Sequence, residues 1–173
     1  MALTLWYAQD LSDTARKAAG ALRAMPVEEA RARRAPDKWS PQEIIGHLVD
    51  SASNNHQRFV RARDRDDLRF PGYDQVAWVK SQNYRDAPWL ELIDLWETFN
   101  LHLARVMDGV PESIRLRPRA DHNLDAIAWE TVPADEAVTL EYFMRDYVGH
   151  LKHHLRQIDN SLASQPPVQR PRV

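Results

Sequence analysis

Four stretches of this sequence place apolar residues at every third or fourth position, the period of an α-helix with one buried face. A chain patterned this way has little use for a sheet. Only 5 Gly occur among 173 residues, so tight hairpin turns have few natural positions, and the expected fold class is all-α, a four-helix bundle. The first helix is expected from about Asp10 to Met25, burying Leu11, Ala15, Ala18, Ala19 and Leu22 and ending before Pro26. The second has the sharpest start: Ser40 at the N-cap, Pro41 at the first helical position and Glu43 three residues after the serine make a capping box. Ile44, His47, Leu48, Ser51, Asn55 and Phe59 then share its inner face, while Arg58, Arg61 and Arg63 are expected toward solvent. A third helix follows Pro88 and stops at Gly109, with Leu92, Leu95, Trp96, Phe99, Leu103 and Val106 inward. The fourth starts near Thr139 and runs to about Ala163, its stripe traced by Leu140, Phe143, Tyr147, His150, Leu151, His154, Leu155 and Ile158.

The connections are uneven. Helices two and three are joined by a long crossover, 63–87, holding a short amphipathic piece around Gln75 to Lys80. An irregular segment, 111–137, precedes the fourth helix, and its alternating Arg115, Arg117 and Arg119 allow a short strand pair. The expected organisation is one bundle domain over 1–163 and a flexible tail over 164–173, where three prolines and no periodicity occur.

Composition removes several function classes. Lys and Arg total 23 against 25 for Asp and Glu, a net charge of −2, so no global basic field draws the chain to nucleic acid. No run approaches the roughly 18 apolar residues of a membrane helix, and Met1–Trp6 carries no secretory signal pattern. The expectation is a cytoplasmic protein with a small-molecule substrate and neither nucleic acid nor membrane as partner. Cys is absent, so disulfides, thiolate ligands and cysteine nucleophiles are excluded, and any metal site must use His, carboxylate or water. Phosphate loops, nucleophile elbows and the zinc-protease His-Glu pattern are missing too.

What remains is histidine. Of the 7 His, His47, His150 and His154 lie on stripes that their apolar neighbours mark as buried. His150 and His154 are one turn apart on one face, a spacing at which two imidazoles converge on one cation. His47, from the second helix, is the candidate third ligand, and three ligands leave a coordination position open. A single His on an apolar face is more often a core residue than a ligand, so the weight rests on the set of three. His153 is the alternative to His154, which agrees better in direction with Tyr147, Leu151 and Ile158. His102 is read as lying along the third helix's buried edge, His56 as off the stripes and His122 as a loop residue. Asp50, one turn beyond His47, is a candidate to orient an imidazole or act as base, with a plain solvated helix residue as the competing reading. Trp39 and Trp78 flank the proposed site and are candidates to wall a pocket.

Lys38–Ser51 (with Trp39-Ser40-Pro41 and Gly46-His47), Arg58-Phe59, Pro71–Trp78 and Tyr147–Ile158 (with Gly149-His150 and His153-His154) together resemble the DinB superfamily, most closely its YfiT-like branch of metal-dependent hydrolases and bacillithiol transferases. The resemblance spans roughly residues 5 to 162. It implies a four-helix bundle holding one divalent metal, zinc or nickel, on three His, a role that falls on His47, His150 and His154, and it implies a homodimer. For function it implies transfer of a low-molecular-weight thiol, taken by the metal as thiolate, to an electrophilic substrate. The alternatives are a hydrolase, with metal-activated water as nucleophile and Asp50 as base, and a non-enzymatic stress-response bundle with a structural metal. A structural zinc is four-coordinate and closed, whereas three protein ligands with an open position argue for catalysis.

Overall fold

The computed structural model describes residues 3–166, over which the backbone forms eight helices. They are α1 (Trp6–Arg23), α2 (Val27–Arg31), α3 (Pro41–Arg61), α4 (Gln75–Ser81), α5 (Trp89–Asp108), α6 (Glu112–Arg115), α7 (Leu124–Ile127) and α8 (Leu140–Ile158). The four long ones make the bundle: α5 packs on α1 and α3, and α8 closes the ring against α3 and α1. Leu11, Leu22, Leu48, Phe59, Trp96, Leu103, Phe143, Tyr147 and Leu151 fill the space between them, fully buried. Truncating a leucine at such a position costs about 2–5 kcal/mol. One polar bond crosses the same core, where the Tyr147 hydroxyl donates to Asn100 Oδ1 and so ties α8 to α5.

Local chemistry sets the start of α3 as the sequence indicates. Ser40 Oγ accepts from the Glu43 backbone N–H at 3.2 Å, and Glu43 Oε2 accepts from the Ser40 N–H at 2.8 Å. Glu43 also holds the Arg33 guanidinium, which pins the 32–39 loop to this end of the bundle. The α3 start is therefore rigid, and His47 sits in its second turn. Thr139 caps α8 in the same way, its Oγ1 accepting from the Tyr142 N–H at 3.1 Å.

Several expectations are corrected. The first helix begins at Trp6 rather than Asp10 and ends at Arg23, and the fourth ends at Ile158 rather than near Ala163. Asp108 Oδ1 accepts from the Thr4 and Leu5 N–H groups, which anchors the chain ahead of α1 and lets the helix start early. No strand pair forms among the described residues of 111–137. Two short helices and two isolated bridges occupy this stretch, Arg119 with Val138 and His122 with Leu68. Pro118 stands next to Arg119 of the first bridge, and a residue without an N–H cannot extend a ladder. On α5 the buried face is rotated: Leu95 is 52% exposed and His102 is exposed, while Ile93, Asn100 and Met107 are buried. Arg58, expected in solvent, is buried beneath the 70–73 crossover. Of the tail expected at 164–173, residues 167–173 lie outside the described residues. Ser164 accepts from the buried Lys152 at 2.9 Å.

Gly46 shows why α3 can approach its neighbour so closely. A Cβ there would lie 2.2 Å from Tyr84 Cγ and 2.8 Å from Tyr84 Cβ, so only glycine lets the tyrosine ring lie against the helix. Tyr84 belongs to a short 3-10 turn over 84–86. Its hydroxyl donates to Asp50 Oδ1 at 2.6 Å.

Candidate metal centre

His47 projects from the second turn of α3, fully buried, and His150 and His154 project from consecutive turns of α8. The three rings meet pairwise, with centroids 5.2 Å apart for His47 and His150, 4.7 Å for His47 and His154, and 4.5 Å for His150 and His154. One nitrogen from each lies within 4.8 Å of the others, and among the described residues this is the group of His or carboxylate side chains gathered closely enough to hold an ion. His47 Nε2 stands 3.3 Å from His150 Nε2. Two nitrogens bound at about 2.1 Å with tetrahedral angles would be separated by about 3.4 Å, so the spacing fits one cation between them.

The outer nitrogens of His150 and His154 have neighbours, whereas among the described residues His47 Nδ1 is buried without a hydrogen-bond partner. Gln157 Oε1 lies 2.8 Å from His154 Nδ1, and the same amide's Nε2 lies 3.1 Å from His153 Nε2. An amide oxygen only accepts, so His154 carries its proton on Nδ1 and presents Nε2 as a lone pair to the centre. Ser51 Oγ lies 3.4 Å from His150 Nδ1 and accepts from it when that nitrogen carries the proton. His153, turned outward and exposed, faces Trp129 and Gln157 rather than the cluster. Trp39 covers the other side of His47 at 5.1 Å between centroids.

Burial, with neighbouring imidazoles adding to it, lowers the His47 pKa to about 3. Burial, partly opposed by the Gln157 hydrogen bond, lowers that of His154 to about 4. His150 falls well below the usual imidazole value for the same reason of burial. All three are neutral at pH 7, the form that binds metal. Below pH 6.5 the unfolded chain takes up protons that the folded cluster refuses. The stability contributed by these groups is therefore fully present above 6.5 and lost as pH falls from there through 4 toward 3. Asp146, its pKa raised by burial to about 7, and Asp50, raised by burial as well, act the other way, but two carboxyls oppose three imidazoles. The metal-free protein should melt progressively lower between pH 6.5 and 4, by about 1.4 kcal/mol per pH unit for each net proton. Calorimetric melting across that range checks it, and a flat profile would contradict it. Proton competition with a bound cation should set in lower, as pH falls toward 4, where the folded His154 begins to take up a proton.

Asp50 is placed differently from the orienting role considered for it. Its Oδ1 accepts from Tyr84 at 2.6 Å and from Gln82 Nε2 at 2.7 Å, fastening the end of the crossover to α3. Burial raises its pKa, against those two bonds. Asp50→Ala should cost about 1–3 kcal/mol by leaving the buried Tyr84 hydroxyl and the Gln82 amide without this acceptor. Zinc stoichiometry should be unchanged, as inductively coupled plasma analysis can test. Loss of metal with the fold intact would place Asp50 in the centre after all.

A cavity of about 360 Å³ opens beside His150 and His154. Sequence reasoning missed most of its walls. Tyr73 and Gly72 come from the crossover, Trp129 from the loop before α8, and Arg58, Asp146 and Tyr147 from the helices. Trp129 lies across Gly149, where a Cβ would stand 2.8 Å from the indole, so the small residue before His150 was the available signal. Asp146 holds that loop, its two oxygens accepting from the backbone N–H groups of Trp129 (2.9 Å) and Glu130 (2.7 Å). Trp39 walls the centre as expected, whereas Trp78 packs on Tyr73 at 4.7 Å.

Four long helices in a closed ring, with a three-histidine cluster between two of them and a cavity at its side, define a helical bundle built around a candidate metal centre. The chain belongs to the DinB superfamily, whose family model matches residues 10–158. Its fold is similar to that of YfiT from Bacillus subtilis, described as a probable metal-dependent hydrolase with an unusual four-helix bundle topology. The similarity has a TM-score of 0.72 at 20% identity and covers 90% of this chain and 83% of that one. No curated protein matches the sequence. No helix among the described residues is long and apolar enough to cross a membrane.

Proposed function

We propose that this protein is a metal-dependent transferase that joins a low-molecular-weight thiol to an electrophilic carbon, with one divalent cation, zinc or nickel, on His47, His150 and His154. Three neutral imidazoles suit such borderline cations. When bound, the cation acts as a Lewis acid that lowers the pKa of a thiol and holds it as thiolate. Gln157 fixes the tautomer of His154, Ser51 lies beside His150, Trp39 shields His47 from water, and Tyr73 and Trp129 wall the space in which an electrophile would lie.

One observation favours this reading over hydrolysis. The carboxylate lining the cavity, Asp146, has both oxygens engaged by backbone N–H groups, and Asp50, whose Oδ1 is held by Tyr84 and Gln82, does not line the cavity. Among the described residues, no carboxylate oxygen lining the cavity is left without a hydrogen bond from the backbone. A thiol needs no carboxylate base once its pKa is lowered by the cation.

The test uses zinc- and nickel-loaded protein, a panel of low-molecular-weight thiols and 1-chloro-2,4-dinitrobenzene. The sulfur forms the new S–C bond and chloride leaves with the electrons of the old one. Conjugation that requires metal and disappears in His154→Ala is the expected result. Metal-dependent cleavage of an ester and amide panel without conjugation would assign hydrolysis instead, and neither activity would favour the non-enzymatic bundle.

A further inference from the structure

Arg58 is a buried cation without an ion-paired carboxylate; Asp146, in the same wall, acts on it only through space. Arg58 is 6% exposed, and among the described residues no carboxylate lies within ion-pair distance of it. Its recorded bonds are to Asn55 Oδ1 at 3.4 Å and to the Pro71 carbonyl at 2.8 Å. A guanidinium has five N–H donors, so most of its capacity is unused. Its face lies over the Phe143 ring, 5.8 Å from the centroid. A buried charge is retained at considerable cost unless it is paired. Asp146, also in this wall, is engaged by the Trp129 and Glu130 backbone and does not reach it.

Arg58 and Phe143 line the same cavity as His150 and His154. Seven residues separate Ser51 from Arg58 on α3, and seven separate Phe143 from His150 on α8. Ser51 touches His150 at one end, and Arg58 covers Phe143 at the other. At about 1.5 Å per residue, the backbone positions of Arg58 and Phe143 lie about 10 Å along their helices from those of Ser51 and His150.

We infer that Arg58 is the anchor for a carboxylate on the small-molecule ligand, so that the cavity takes an organic acid whose acidic end meets Arg58 while its other end reaches the histidine cluster. This inference rests on the site reading above only for what happens at the histidine end. A planar guanidinium with free donors matches a carboxylate in two parallel bonds, and Phe143 holds it in place for that geometry. The aromatic walls at Tyr73, Trp129 and Tyr147 cover the apolar middle of such a ligand.

The test is calorimetric titration of the metal-free protein at pH 7.5 with octanoate and with octanamide, which share a chain of suitable length and differ in charge. Wild-type protein should bind octanoate at least about tenfold more tightly than octanamide. The preference should vanish in Arg58→Gln and persist in part in Arg58→Lys. Equal affinities in the wild type, including no binding of either, overturn the inference, as does an unchanged preference in Arg58→Gln. The wild-type comparison decides even if the substitution unfolds the chain. Zinc titration of the same samples keeps the two readings apart. An octanoate preference without zinc binding removes the metal centre and leaves the carboxylate anchor, and zinc binding without the preference does the reverse.

Discussion

Replacing His154 by Ala is expected to lower zinc affinity by more than roughly a hundredfold while leaving the metal-free bundle close to its wild-type stability. Two imidazoles from different helices remain, and two ligands hold a divalent cation weakly. The side chain is half-buried at the edge of the core, and its recorded hydrogen bond is to Gln157 on the same helix. Little packing is lost with it. The contrast appears on adding metal. At zinc a hundredfold above its dissociation constant, the wild type gains about 2.7 kcal/mol by mass action, and the variant gains almost nothing. His153→Ala is the internal control, because His153 faces Trp129 and Gln157, outside the cluster. It should bind zinc as the wild type does. Full zinc occupancy in His154→Ala with loss in His153→Ala would exchange the two residues.

A loss of folding stability tied to a backbone close approach is expected at Gly46. An alanine Cβ would stand 2.2 Å from Tyr84 Cγ, and because the clash is at the root of the side chain, rotating the ring cannot relieve it. The 84–86 turn must move off α3, which loosens the Tyr84 bond to Asp50 and the Gln42 bonds to the carbonyls of Tyr84 and Ala87. Alanine's better helix propensity offsets about 1 kcal/mol of an overpacking cost of about 3 kcal/mol. The net loss of about 2 kcal/mol corresponds to a Tm lower by about 4–8 °C for a chain of this length. Since α3 also carries His47, zinc affinity should fall with it. A Gly46→Ala protein that melts with the wild type would show that the turn yields without cost.

Local signals were legible in the sequence. The Ser40, Pro41 and Glu43 cap depends on four consecutive positions, so its hydrogen bonds form wherever that string starts a helix. His150 and His154 share a face by helical period alone, and His47 lies on a face whose apolar neighbours require a partner helix. The antiparallel packing of α3 on α8 brings them together. What depends on distant parts of the chain was not legible. Arg58 looks like a surface residue until the crossover lies over it, and Leu95 looks like core until α1 and α3 fix which side of α5 turns inward. Trp129 and Tyr73 come from segments without periodicity, so nothing local announces that they wall a cavity. Their positions follow from Asp146 holding the loop and from the close approach at Gly149.

The account turns on one cation held by three histidines, and X-ray absorption at the zinc edge of the reconstituted wild-type protein tests that most directly. It predicts one zinc per chain with three imidazole nitrogens at about 2.0–2.1 Å and at least one further light ligand at the open position. A spectrum with fewer than three imidazoles, or a shell of oxygen ligands alone, would contradict it.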